Sequence, residues 1–247
     1  MTDPLFLRRA EELWRRSGDL YTVTHTGFLT PAEQFALEGL PHLRDSLLLH
    51  GGGTDCERRA AFFLPEYLSS DDFDPGDYIA AIGLICRFGA PGHRDVLGSL
   101  LALGIERWTV GDIYTAGEAA WFFCLPVAAA HIQRELTHIG RNGVQVEAVS
   151  LDTVPVPTRA RALLSFTVSS LRLDAILAGT FGLSRGQAVE QIEAGLVSLN
   201  YAVCQKSTVL LTPGDVFSLR GSGKATLAEL GGHSKKGRLF VGVEKYV

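Results

Sequence analysis

Lysine is absent from the first 205 residues of this 247-residue chain; every one lies at Lys206 or beyond. That excludes a phosphate-loop nucleotide site from the long N-terminal stretch, because such a loop needs a lysine after its glycines. The glycine-rich turn His50-Gly51-Gly52-Gly53 has no lysine near it. Cysteine is scarce as well. Cys56, Cys86, Cys124 and Cys204 are widely scattered and form no CxxC pair, so reduced and mostly buried thiols in a cytoplasm are expected. Long apolar runs are missing. Ala119 to Ala130 is broken by Pro126 and too short to span a bilayer. Met1 to Arg16 mixes acids with arginines and has no apolar signal core. No membrane partner is expected. The acidic turn Asp71 to Asp77 lacks the ligand spacing and terminal glutamate of an EF-hand. No dinucleotide glycine fingerprint follows a strand. His93-Arg94-Asp95 lacks the asparagine of a kinase catalytic loop, since Leu100 stands there. The expectation is a protein without metal, cofactor or catalysis.

What is present is a charge asymmetry. The net charge is −4, which by itself argues against a nucleic-acid partner. From Arg159 onward, eleven Lys/Arg stand against six Asp/Glu, so that stretch carries +5 and residues 1 to 158 carry −9. A basic module on an acidic body faces a partner, because polyanion binding depends on local phosphate neutralisation. The acidic N-terminal body is expected to face away from RNA or to meet a protein partner.

With 46% hydrophobic and 20% charged residues, the chain reads as globular. At this length it holds more than one core. We expect an α+β protein of three domains: an N-terminal α/β segment at 1–75, a middle domain at 76–155, and a C-terminal domain at 164–247 with a basic extension. Leu5 to Arg16 reads as a helix whose arginines form a solvated face. Thr30-Pro31-Ala32-Glu33 joins an N-cap threonine, a proline at the first helical position and a capping-box glutamate. Leu47 to Leu49 and Ala60 to Leu64 read as strands, and Asp71 to Asp77 as the first boundary. Beyond it come strand Ile79 to Arg87, helix His93 to Leu103, strands Trp108 to Tyr114 and Ala119 to Leu125, helix Pro126 to Ile139, and strand Val144 to Val149. That β-α-β-β-α-β order is the ferredoxin-like order shared by RNA-recognition modules, here without their base-stacking aromatic signature. Leu151 to Ala162 is the second boundary, and Leu164 to Val168 adds a strand.

The stretch Ser170 to Arg220 is the best organised. Leu173, Ile176 and Leu177 share one helix face, leaving Arg172 and Asp174 to point towards solvent or a partner. Ser184 caps a second helix and Gln187 completes a capping box, with Gly195 as a C-terminal stop. Val197 and Leu199 alternate with polar residues as in a strand, and Thr212-Pro213-Gly214-Asp215 turns into Val216 to Leu219. Arg185 lies in the first turn of the second helix, where open amides and the positive dipole end favour an anion and a guanidinium adds a bidentate phosphate grip. Arg172 and Lys206 flank the same face. Gly221-Ser222-Gly223-Lys224-Ala225 resembles half a phosphate loop but has alanine where a metal-binding hydroxyl belongs. Lys224, Lys235, Lys236 and Arg238 form a glycine-punctuated basic extension that ends in the strand Leu239 to Val243.

The order S-L-R-L-D, S-R-x-x-A, G-x-V-x-x-N and G-D-V-F-S-L over residues 170 to 220 resembles the S-four RNA-binding domain. That resemblance implies contact with structured RNA through Arg172, Ser184, Arg185 and Gln187. Gly186 and Gln187 stand where many members carry a basic residue. F-L-T-P-A-E-Q (28 to 34), G-G-x-x-x-x-E-R-R (52 to 59) and H-R-D-V-L-G-S-L-L-A-L-G-I-E-R (93 to 107), with Gly111-Asp112-Ile113, extend the likeness to the bacterial YlmH-type proteins. It implies a cytoplasmic factor with an RRM-like middle domain, binding rRNA and tRNA on the large ribosomal subunit in rescue of stalled translation. An RNA-modifying enzyme accessory and a cell-division scaffold are the alternatives.

Overall fold

The computed structural model describes residues 3–157 and 160–246, which fall into two compact units. The expected boundary at 151–162 includes residues 158 and 159, which lie outside the described residues.

The first unit is built in layers. Helix α1 (Pro4–Leu20) starts where Asp3 accepts from the Leu5 amide, and it ends on Tyr21 in left-handed conformation. Strand β1 (Thr24–Leu29) follows, then helix α2 (Pro31–Glu38) with the expected Thr30–Glu33 capping box. Strands β2 (Leu47–His50) and β3 (Arg59–Phe63) complete a three-stranded antiparallel sheet in the order β1-β3-β2. Alternation along β3 separates its two faces. Ala61 and Phe63 join Ala10, Leu37 and Leu43 beneath the helices, whereas Ala60 and Phe62 face the opposite way. Leu5 is 68% exposed, so the buried stripe of α1 runs instead through Phe6, Ala10, Leu13 and Trp14.

Strand β4 (Ala80–Cys86), helix α3 (His93–Ala102), strands β5 (Val110–Ala116) and β6 (Ala119–Cys124), helix α4 (Pro126–Glu135), and strands β7 (His138–Ile139) and β8 (Asn142–Val149) follow. They form a five-stranded antiparallel sheet ordered β5-β6-β4-β8-β7. Ile82, Leu84, Phe122 and Cys124 bury against α3 and α4, with Val96, Leu100 and Ile132. On the other face, Ala81 and Phe123 meet Phe28, Ala60 and Phe62 of the three-stranded sheet in one shared core. Phe73 sits against Phe62 at 4.8 Å and stacks on Tyr78 at 5.5 Å, so the acidic segment before β4 is pinned by its aromatic residue. One sequence expectation fails locally. The helix begun at Pro126 ends at Glu135 rather than Ile139, because Leu136 turns extended and His138-Ile139 pairs with Gly143-Asn142 around Gly140 at φ 59.

The second unit contains strand β9 (Arg161–Val168), helices α5 (Leu173–Phe181) and α6 (Arg185–Glu193), and strands β10 (Val197–Leu199), β11 (Ala202–Val203), β12 (Val216–Leu219), β13 (Gly223–His233) and β14 (Leu239–Tyr246). The strands make one antiparallel sheet ordered β11-β10-β12-β13-β14-β9, with both helices on a single face. Leu173, Ile176, Leu177, Ala188 and Ile192 are buried there, as the helical spacing required. Gly179 brings α5 close to β9, where a Cβ would be driven into the Phe166 ring. Within the glycine-punctuated basic extension, residues 223 to 233 form a continuous strand paired with both β12 and β14. The glycines Gly231 and Gly232 lie where that strand's register shifts. Overall the chain is an α+β protein with a mixed helix and sheet region ahead of this C-terminal unit. Among the described residues, no helix is long and apolar enough to cross a membrane.

Candidate nucleic-acid interface

The site is built around a carboxylate that the sequence pattern alone would place in solvent. Asp174 is 2% exposed. It lies in the first turn of α5, whose N-terminal amides are claimed by the chain at 207–209: Leu173 N donates to Val209 O and Asp174 N to Ser207 O. With its backbone fixed this way, the side chain turns inward and two arginines close over it. Arg172 donates Nε to Oδ1 at 3.2 Å and a terminal nitrogen to Oδ2 at 2.8 Å, and Arg185 donates to the same Oδ2 at 2.8 Å. Burial alone would raise the Asp174 carboxyl; the hydrogen bonds from Arg172 and Arg185 outweigh it and hold the group below the usual carboxylate range. Its hydrogen bond in turn raises the Arg172 guanidinium.

The consequence is a pair of guanidiniums anchored from beneath while their outer parts remain in water, with side chains 36% and 52% exposed. Pairing with one carboxylate leaves most of the five donors on each guanidinium available. Helix α6 adds to this face. Ser184 accepts from the Gln187 amide at 3.2 Å, and Gln187 accepts from the Ser184 amide at 2.9 Å, completing the expected capping box. The roles of Ser184 and Gln187 are thereby explained by the cap itself. The amides of Arg185 and Gly186 have no partner among the described residues and stay open at the positive end of the helix. Gly186, which costs the helix a basic side chain, keeps the approach to these amides unobstructed.

Lys206 is exposed one residue before Ser207, whose carbonyl accepts from Asp174 N, so it flanks the same end of α5. The other expected residues lie elsewhere in this unit. Lys224 projects from β13 and stands 4.7 Å from the Tyr246 ring centroid and 5.9 Å from that of Tyr201. Lys235 and Lys236 are exposed in the turn between β13 and β14, and Arg238 donates to Thr167 O at 2.6 Å. Sequence reasoning missed Asp174 as the organiser. The signal was its place between two arginines and beside a run of leucines, where a charged group is buried only if paired.

In the first unit, the face of the five-stranded sheet that an RNA-recognition module offers to bases is partly occupied. Ala81, Tyr114, Phe123 and Val149 pack there against the three-stranded sheet.

The S4 domain family model matches residues 171–217, the stretch that holds this buried aspartate and its two arginines at the start of a helix pair packed on an antiparallel sheet. A second family model, described as "Putative RNA-binding domain in YlmH", matches residues 71–153. A curated relative, ribosome-associated protein quality control protein P2 of Bacillus subtilis (strain 168), is 30% identical over 241 residues, covering 97% of this chain and 94% of its own. The chain belongs to the YlmH family of S4-domain RNA-binding proteins. Cell division protein ylmH from Streptococcus pneumoniae shares the fold at a TM-score of 0.51 and 22% identity, over 62% of this chain and 94% of that one.

Proposed function

We propose that this protein is a non-enzymatic factor that grips structured RNA, both rRNA and tRNA, on the large ribosomal subunit during quality control of stalled translation in the cytoplasm. The observation that carries the reading is the Arg172–Asp174–Arg185 arrangement at the open N-terminus of α6. It holds two guanidiniums and two backbone amides toward one patch of solvent, which suits adjacent phosphates of a folded RNA. Lys206 extends this patch, and Lys224, Lys235, Lys236 and Arg238 supply the wider positive field of the unit. The name of the Bacillus relative supports the ribosomal setting. The middle elements are read as a ferredoxin-like, RRM-like domain, supported by the order β4-α3-β5-β6-α4-β8 and by β4 lying between β6 and β8. With part of its base-stacking face occupied, that domain is assigned no stacking role.

The test is a salt-titrated binding isotherm on ribosomal and transfer RNA. Arg185→Ala should weaken binding about tenfold or more, since a charged hydrogen-bonding contact is worth roughly 1.5–3 kcal/mol. It should also lower the log–log salt slope by about one unit. Arg15→Ala, 69% exposed on α1, is the control. Equal affinities for wild type and Arg185→Ala would place the RNA face elsewhere.

A further inference from the structure

The first unit contains a second cationic site that owes nothing to the S4 reading. Arg58, in the segment ahead of β3, donates Nε to Val110 O at 3.3 Å and a terminal nitrogen to Phe28 O at 2.6 Å. Arg107 donates to the same Val110 oxygen and to Gly111 O at 3.3 Å. Two half-buried guanidiniums therefore meet on one carbonyl, and among the described residues neither forms an ion pair. The oxygens that accept from them are neutral main-chain carbonyls. Burial and the neighbouring Arg58 charge push the Arg107 guanidinium down to about 10, against the nearby Asp112 carboxylate, which raises it; burial likewise lowers Arg58, against Glu33, Asp112 and Glu57.

Both arginines line a cleft of about 1100 Å³ between α1, β1 and the approach to β5, and Arg9 and Arg16 of α1 line it as well. Asp3, Glu33 and Glu106, which line this cleft, hydrogen-bond to neutral groups and keep their charge, and Glu33 is near enough to raise Arg58. Asp3 caps α1, Glu33 accepts from both the amide and the hydroxyl of Thr30, and Glu106 accepts from the Trp108 indole; Glu12 is exposed at the rim. Trp108 is 50% exposed. Its ring is seated on Gly27 of β1, where a Cβ would be driven into it, so the indole is held in place while half of its surface stays open.

We propose that this cleft binds a nucleotide unit, its phosphate taken by Arg58 and Arg107 with Arg9 at the rim and its base stacked on Trp108. A phosphate accepts in the bidentate geometry that arginine offers, and it gives each guanidinium the direct charged partner that neither has among the described residues. A fixed, half-open indole is a stacking surface for any base. The same chemistry is presented by a free mononucleotide and by the phosphorylated end of an RNA strand.

The experiment uses the full chain with three probes: inorganic phosphate, AMP, and a 5′-phosphorylated adenosine tetramer of RNA. AMP should quench tryptophan fluorescence saturably. Trp108→Leu should abolish the quenching while phosphate still binds by calorimetry. Arg107→Gln should weaken AMP about tenfold or more. Arg9→Gln, on an exposed helix position, should weaken it several-fold and keeps the test valid if the Arg107 variant does not fold. Tighter binding of the tetramer than of AMP identifies a strand end as the ligand, and equal or weaker binding identifies a free nucleotide. The proposal is overturned if neither AMP nor the tetramer binds saturably at millimolar concentration. It is also overturned if Trp108→Leu and Arg9→Gln both leave affinity unchanged, because contacts made only by the S4 unit would behave in that way.

Discussion

Removing the Asp174 carboxylate tests the organisation of the S4 unit most directly. Three hydrogen bonds from charged donors end on its two oxygens. Hydrogen bonds to charged groups contribute roughly 1.5–3 kcal/mol each in net terms. Against that stands the cost of keeping a carboxylate at 2% exposure, several kcal/mol per buried ion after relaxation. The two nearly cancel. Asp174→Ala should therefore cost about 1–3 kcal/mol, because its partners are surface arginines that can swing back into water. The opposite deletion is harsher. Changing both Arg172 and Arg185 to alanine leaves the carboxylate buried and unpaired, so that double variant should be less stable than Asp174→Ala. Its loss should also exceed the sum of the two single arginine losses, since either arginine alone still covers the charge. All three tryptophans, Trp14, Trp108 and Trp121, lie in the first unit, so tryptophan fluorescence reports that unit alone. Native-state hydrogen exchange at the Ile176 and Leu177 amides of α5 reads the second unit directly. In Asp174→Ala, exchange should accelerate by about tenfold to a hundredfold, while the tryptophan transition stays in place. An Asp174→Ala protein less stable than the double arginine variant would refute this balance of burial against pairing.

Acid should reveal the same cluster. The folded Asp174 carboxyl lies below its ordinary range, so its contribution is fully present above about pH 4. It is lost as pH falls through the depressed folded value, and Asp174→Asn should lack this component of the pH dependence in exchange measurements. Thiol accessibility offers a second check. Burial pushes Cys124 up to about 12 and raises Cys86, and Cys56 is also buried, so a thiol reagent at pH 8 should label native protein chiefly at Cys204. Labelling at Cys124 as fast as at Cys204 would contradict the packing of the five-stranded sheet. Gly179→Ala forces a methyl into Phe166 and should destabilise the second unit by about 1–3 kcal/mol. An unchanged exchange profile in α5 would show that β9 yields without cost.

Where one local rule dominated, the sequence was readable. The Thr30–Glu33 and Ser184–Gln187 capping boxes and the Leu173-Ile176-Leu177 face appear as expected, as does the β-α-β-β-α-β order apart from the added β7 and a 3-10 turn at Arg107–Thr109, because capping and periodicity are set within a few residues. Failures came where distant partners decide. Asp174 carries the polarity of a surface residue, and only Arg185, eleven positions away, joins Arg172 to make its burial tolerable. Strand β1 was not anticipated, since THTGFL gains its strand identity by pairing with β3 thirty or more residues on. Gly231 and Gly232 punctuate the basic extension in sequence. In the fold they sit at a register shift opposite β14, and a Cβ at Gly231 would come tightly against Phe240. The cleft arginines were likewise illegible, because Arg58 and Arg107 meet only through the carbonyl of Val110.

The charge distribution explains how a chain of net charge −4 belongs among RNA-binding proteins. At physiological ionic strength the Debye length is about 8 Å, so exposed charges act over roughly the span of a side chain. For the phosphate proposed to sit on α6, the charges within that distance decide. What matters there is the local set: Arg172, Arg185, Lys206 and two helix-end amides, with Asp174 already neutralised by its own partners. Burying that aspartate serves the same end. An exposed carboxylate beside the two arginines would cancel part of the positive field that they present to solvent. Held at 2% exposure beneath them, it fixes their geometry while the face turned to solvent stays positive. Net charge is thus a poor guide to this protein's partner, and the depth at which each charge is buried is a better one.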